Sequence, residues 1–152
     1  MLQITERQFH PATPSVNLTL PFEKRQKSRL RVFLDDKREV ALMLERGSVL
    51  RHGDLLRADS GLIIKVCAAD EEVAVISTKD PFLFARACYH LGNRHIPLQI
   101  GESWLRIQRV HVLEEMVQSL GLVVKHELAP FEPEGGAYSG HSSHSHSHTN
   151  EA

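Results

Sequence analysis

The sequence predicts an α+β protein in which an all-β domain precedes a mixed domain, and three observations predict it. Apolar and polar residues alternate with a period of two through much of residues 1–70. In residues 71–134, strand-like runs are interleaved with two stretches of helical periodicity. Beyond Pro133 the apolar residues all but vanish, which sets residues 135–152 apart.

In the first domain, Leu2 and Ile4, then Val16, Leu18 and Leu20, then Leu30, Val32 and Leu34 alternate with polar neighbours, as half-buried strands do. Asp35-Asp36-Lys37 reads as a hairpin turn into a strand through Val40, Leu42 and Leu44. Arg46-Gly47 and His52-Gly53-Asp54 punctuate two shorter segments. Gly61 to Cys67 completes the unit, with a boundary expected near Ala69 to Glu72. The five basic residues between Glu23 and Arg31 have neither interleaved aromatics nor a recognition helix, so they read as a solvated hairpin loop and not as a nucleic-acid surface.

The second domain opens with a strand from Val73 to Ser77. Asp80-Pro81 then offers an N-cap residue followed by proline at the first helical position. Leu83, Ala87 and Leu91 line one helix face, and Gly92 is the expected stop. Ile96 to Ile100 and Trp104 to Ile107 read as a hairpin around Gly101-Glu102. A second helix carries Val110, Leu113, Val117 and Leu120 and ends at Gly121, before a last strand from Leu122 to Lys125. The order β-α-β-β-α-β is that of the ferredoxin-like, or split βαβ, arrangement. Residues 135–152 hold too little apolar surface to offset the entropy of ordering them and are expected to form a flexible tail.

Composition narrows the function. A net charge of −1 supplies no global field toward nucleic acid or acidic membranes. No apolar run approaches a membrane span and no signal-peptide pattern opens the chain, so a cytoplasmic protein is expected. Two cysteines, Cys67 and Cys88, are too few for a disulfide framework or a cysteine-based zinc site. The unusual count is ten histidines.

Four of them, His141, His144, His146 and His148, fall within eight residues. Neutral imidazole is a good ligand for nickel, copper and zinc, and serine spacers would let several rings reach one ion. The bland alternative is a purification tag or a merely solubilising tail, but a tag is normally an unbroken histidine run. His95 sits just past the first helix, in Gly92-Asn93-Arg94-His95-Ile96-Pro97-Leu98, where Pro97 favours extended geometry at Ile96. Taken alone, such a residue is more often a surface or helix-capping histidine than a ligand.

The Gly-Asn-Arg-His segment followed by Ile96-Pro97-Leu98-Gln99 resembles the motif of the UreE family of urease accessory proteins, which are cytoplasmic nickel metallochaperones. Arg46 to Leu56 in the β domain, the ferredoxin-like second domain and the histidine-bearing tail also fit, so the resemblance covers essentially the whole chain. It implies a homodimer in which two copies of His95 meet on the two-fold axis and share one nickel ion. Physically, a C₂ interface duplicates a lone ligand without any new residue. The resemblance further implies partners: the urease accessory GTPase and, through it, the apo-urease complex.

His111 opens the second helix, where the helix dipole disfavours imidazolium. Relatives carry a histidine here, some with another two residues earlier; this chain has Arg109, which implies a weaker peripheral site or none. A zinc-protease reading fails, because His111-x-x-Glu114-Glu115 lacks the final histidine of the inverted zincin motif. His90 carries a structural reading, and His10 and His52 lie in expected loops and need no function; His126 ends the last strand, where a solvated strand end and a residue reaching the tail explain it equally well.

The expectation is therefore a non-enzymatic nickel carrier, with His95 as transfer site, His111 peripheral and the tail histidines as collectors. The β domain, residues 1–70, would dock partner proteins or peptides. Zinc and copper remain competing ions, copper being the tighter on the Irving–Williams order. A metal-storage or detoxification protein is the alternative. A hydrolase would need three or four convergent ligands and a general base, and no such set is evident.

Overall fold

In the computed structural model, which describes residues 1–135, the period-two stretches of the first domain become one mixed six-stranded sheet. Its elements are β1 (Leu2–Arg7), β2 (Val16–Leu20), a one-turn helix α1 (Phe22–Arg25), β3 (Arg29–Phe33), β4 (Glu39–Met43), β5 (Leu55–Ala58) and β6 (Ile63–Ala68). The strand order is β2-β6-β5-β1-β4-β3, with β1–β4 and β2–β6 parallel and the remaining pairs antiparallel. Alternate residues, among them Ile4, Leu18, Val32, Val40, Leu42, Leu56 and Ile64, share one buried core. That is the face the alternation selects. Asp35, in the β3–β4 turn, reaches the opposite edge of the sheet: it accepts the Thr19 amide at Oδ1 (3.1 Å) and the Thr19 hydroxyl at Oδ2 (2.7 Å), while its own amide donates to the Asn17 carbonyl (2.9 Å). The sheet thus curls until its two edges meet at one turn.

The basic stretch departs from the expected solvated loop, and α1 makes the unit not strictly all-β. Arg25 is fully buried. It donates from Nε to the Leu20 carbonyl (3.0 Å) and from Nη1 to the Leu50 carbonyl (3.1 Å), with its guanidinium 5.7 Å from the Phe22 ring centroid. The planar fork of arginine satisfies several backbone acceptors at once, which a solvated charge could not do for a buried loop.

The chain divides into two compact units, and the second spans Asp70–Glu134. It contains β7 (Asp70–Ser77), α2 (Pro81–Gly92), β8 (Gln99–Ile100), β9 (Trp104–Gln108), α3 (His111–Leu120) and β10 (Val123–Pro130). The element order is β-α-β-β-α-β, and the antiparallel sheet runs β10-β7-β9-β8. Ala74, Ile76, Leu105 and Ile107 face Ala87, Leu91, Leu113 and Val117 of the helices in a second core. Asp80 caps α2 through its side chain, which accepts the amides of Phe82 (2.9 Å) and Leu83 (3.4 Å), with Pro81 next. Strand β8 is shorter than the sequence suggests, because Pro97 has no amide to donate and the Leu98 carbonyl is taken by the Glu134 amide (2.8 Å).

No helix among the described residues is long and apolar enough to cross a membrane.

Candidate metal centre

His95 is placed by the way α2 ends. The amides of Asn93, Arg94 and His95 donate to the carbonyls of Tyr89 (3.1 Å), Leu91 (3.0 Å) and Gly92 (3.1 Å), tightening the last turn. Gly92 was the expected stop, yet it stays in the helix at ordinary φ, and His95 takes the left-handed conformation at φ 55°. A non-glycine residue there costs roughly 1–2 kcal/mol, and such strain gathers at functional positions. Beyond it, Ile96 packs on the core and Leu98 is buried. On the other side, Nη2 of Arg94 lies 3.7 Å from Sδ of Met116 on α3. The backbone is thus held at both ends, while the exposed His95 ring makes no hydrogen bond or ion pair among the described residues.

The other expected ligand among these residues is not brought to it. His111 is the first residue of α3 and 83% exposed, with Glu115 one turn on at 3.1 Å from its Nε2. Among the described residues no group of three or more His, Cys, Asp or Glu could hold a metal ion. His141, His144, His146 and His148 lie outside the described residues.

Sequence reasoning missed a polar cluster beside α3. Glu114 is buried, its Oε1 2.7 Å from Nε2 of His126 on β10 and its Oε2 3.7 Å from Nε of Arg109. Arg109 also approaches Glu72, at 3.8 Å. A signal existed: Glu114 falls at helical spacing between Val110 and Val117, on the apolar stripe of α3. Arg109, where some relatives are expected to carry a further histidine, is therefore engaged with carboxylates. His126, read as a solvated strand end, is a partner of a buried acid. His90 is half-buried, its ring edge-on to Tyr89 at 5.3 Å. His52 accepts the Ala68 amide at Nδ1 (3.1 Å), a structural role.

A fixed, open imidazole with no group of three or more metal-ligating side chains around it among the described residues is the pattern of an incomplete site, one that needs ligands from elsewhere. Comparison with known proteins bears on what that site serves. A model of the UreE urease accessory protein N-terminal domain matches residues 3–69, and one of its C-terminal domain matches residues 71–152. This chain belongs to the UreE family of urease accessory proteins. Curated UreE relatives include one from Alkalilimnicola ehrlichii, 54% identical over 140 residues (92% of this chain, 86% of the relative). Another, from Escherichia coli O157:H7, is 49% identical over 152 residues, covering 99% of this chain and 98% of its own. One from Pseudomonas putida strain GB-1 is 54% identical over 141 residues, 91% and 86% of the two chains. Each carries the name urease accessory protein UreE.

Proposed function

We propose that this UreE-family protein is a cytoplasmic nickel metallochaperone: it binds nickel reversibly and gives it up during assembly of the urease active site, catalysing no reaction itself. The observation that carries the reading is His95, a solvent-facing imidazole on a strained, doubly anchored turn with no partner among the described residues.

One imidazole is a weak metal site, and a two-fold axis through this loop would supply a second. The exposed face of α2 supports association with a second copy. Phe82 and Tyr89 lie two turns apart on it, 70% and 65% exposed, and apolar surface of this kind favours burial. Two ligands leave coordination positions open, and an open site can pass its ion to a better-equipped acceptor. The tail histidines then act as tethered ligands that raise the local ion concentration. His111 serves at most as a peripheral site. Zinc and copper bind the same rings, so nickel selectivity rests on supply and on the acceptor. The partners are the urease accessory GTPase and apo-urease, with the N-terminal sheet as docking surface.

The test is urease activation in cells given limiting nickel, with this chain or its His95→Ala variant as the only UreE. The reading predicts a large loss of urease activity with His95→Ala that excess nickel restores. Undiminished activation would favour storage by the tail, because a storage protein does not depend on His95.

A further inference from the structure

Strand β10 is an edge of the second unit's sheet. Its register with β7 runs unbroken through eight residues, from Val123 opposite Ser77 to Pro130 opposite Asp70. No strand lies on its outer side among the described residues. Proline comes only at its last position and no bulge interrupts it, so neither device blunts the middle of the edge. The strand also carries exposed apolar side chains, Val123 at 54% and Leu128 at 70%.

The two faces of β10 differ. Val124 packs on the core under the helices and His126 contacts Glu114 of α3, so Val124, His126 and Leu128 belong to the helix side. Val123, Lys125, Glu127 and Ala129 belong to the other. There Val75 stands opposite Lys125 and Val73 opposite Glu127, and Arg106, opposite Val75 on β9, is stacked 4.8 Å from the Trp104 ring centroid. Neither Lys125 nor Glu127 faces an opposite charge on β7, and neither makes an ion pair among the described residues.

We propose that β10 is an interface for a second copy of this chain, added antiparallel about a two-fold axis at His126 so that the two sheets become one. An axis normal to the sheet keeps both helix layers on one side, and the strands then pair within one face, centred on a single residue. Centring on Lys125 or Glu127 sets like charges opposite each other. Centring further along shortens the overlap. Centring on His126 sets Lys125 of each copy opposite Glu127 of the other, and Val124 opposite Leu128, both twice over. Each Leu128 then extends the core to which Val124 belongs, and Val123 meets Ala129. The two His126 residues meet at the axis, each engaged with its own Glu114 at 2.7 Å.

The His95 loop leads into β8, at the opposite edge of this sheet. The β10 axis is therefore distinct from the one that the metallochaperone reading places at His95, and the inference does not rest on that reading.

The test is sedimentation equilibrium of the full chain in EDTA at low salt, over micromolar to millimolar concentrations. The parent is compared with Lys125→Glu, with Glu127→Lys, with the double exchange, and with Leu128→Ser; urea denaturation confirms that each is folded. The parent should double in mass as concentration rises, from monomer to dimer or, if a His95 dimer is already present, from dimer to tetramer. Each single reversal should weaken that step by about tenfold, because two pairs change from attraction to repulsion, and the double exchange should restore it. Leu128→Ser should weaken it without loss of fold. A parent that never doubles would overturn the proposal. So would doubling that ignores the single reversals, which would place the contact on another surface, or a loss that the double exchange leaves unrestored.

Discussion

The amide of His95 donates to the carbonyl of Gly92 across 3.1 Å, and the turn it closes leaves the histidine in the left-handed region. The ring is exposed, so replacing it removes little packing. His95→Gly should accept the backbone without strain, whereas His95→Ala keeps the Cβ penalty. The glycine variant should be more stable than the alanine variant by about 1 kcal/mol in urea denaturation, although both lose the nickel ion at this loop.

Glu114 and His126 tie α3 to β10, and the proposed function gives neither a part in metal transfer. Glu114→Ala removes the partner of both His126 and Arg109, while His126→Ala leaves a buried carboxylate with one contact fewer. Each should cost about 1–3 kcal/mol in denaturation while leaving nickel stoichiometry unchanged. A changed stoichiometry would place these residues among the metal ligands.

Arg25 is a structural cation. Arg25→Ala should destabilise the N-terminal unit by about 2–4 kcal/mol, because it empties a buried site, takes the side-chain donor from the Leu50 carbonyl and leaves the Leu20 carbonyl only the Ala69 amide. Arg25→Lys should not rescue it fully, since one ammonium cannot reproduce the fork. Denaturation monitored on both variants decides this.

Gly101 is fixed by its neighbour. A Cβ there would lie 2.0 Å from Cε2 of Trp104, so Gly101→Ala must displace the indole and disturb the Arg106 stack. The expected cost is about 1–3 kcal/mol, with a shift in tryptophan fluorescence.

Burial pushes the Cys88 thiol above its ordinary pKa, which leaves little thiolate at neutral pH. Cys88→Ala should therefore leave nickel affinity unchanged between pH 7 and 8. A drop in affinity would make the thiolate a ligand.

The strands of the first unit and the β-α-β-β-α-β order of the second were legible because each rests on short-range periodicity: Val16, Leu18 and Leu20, or Leu83, Ala87 and Leu91, declare their buried face locally. His95 was singled out through its motif, not its surroundings. What the sequence hid depends on contacts between distant residues. Nothing near Arg25 announces the Leu50 carbonyl, and nothing near Glu134 announces Leu98. The left-handed residue was expected at a glycine because glycine is the usual choice, whereas the last turn of α2 tightened and carried that conformation on to His95.

By the proposed function, His95 binds a metal ion shared between two copies of the chain. Equilibrium dialysis with nickel tests it most directly, on a chain ending at Tyr138 and on the same chain carrying His95→Ala. One nickel per two chains is expected in the first and none in the second. Equal binding by both, or no binding by the first, would contradict it.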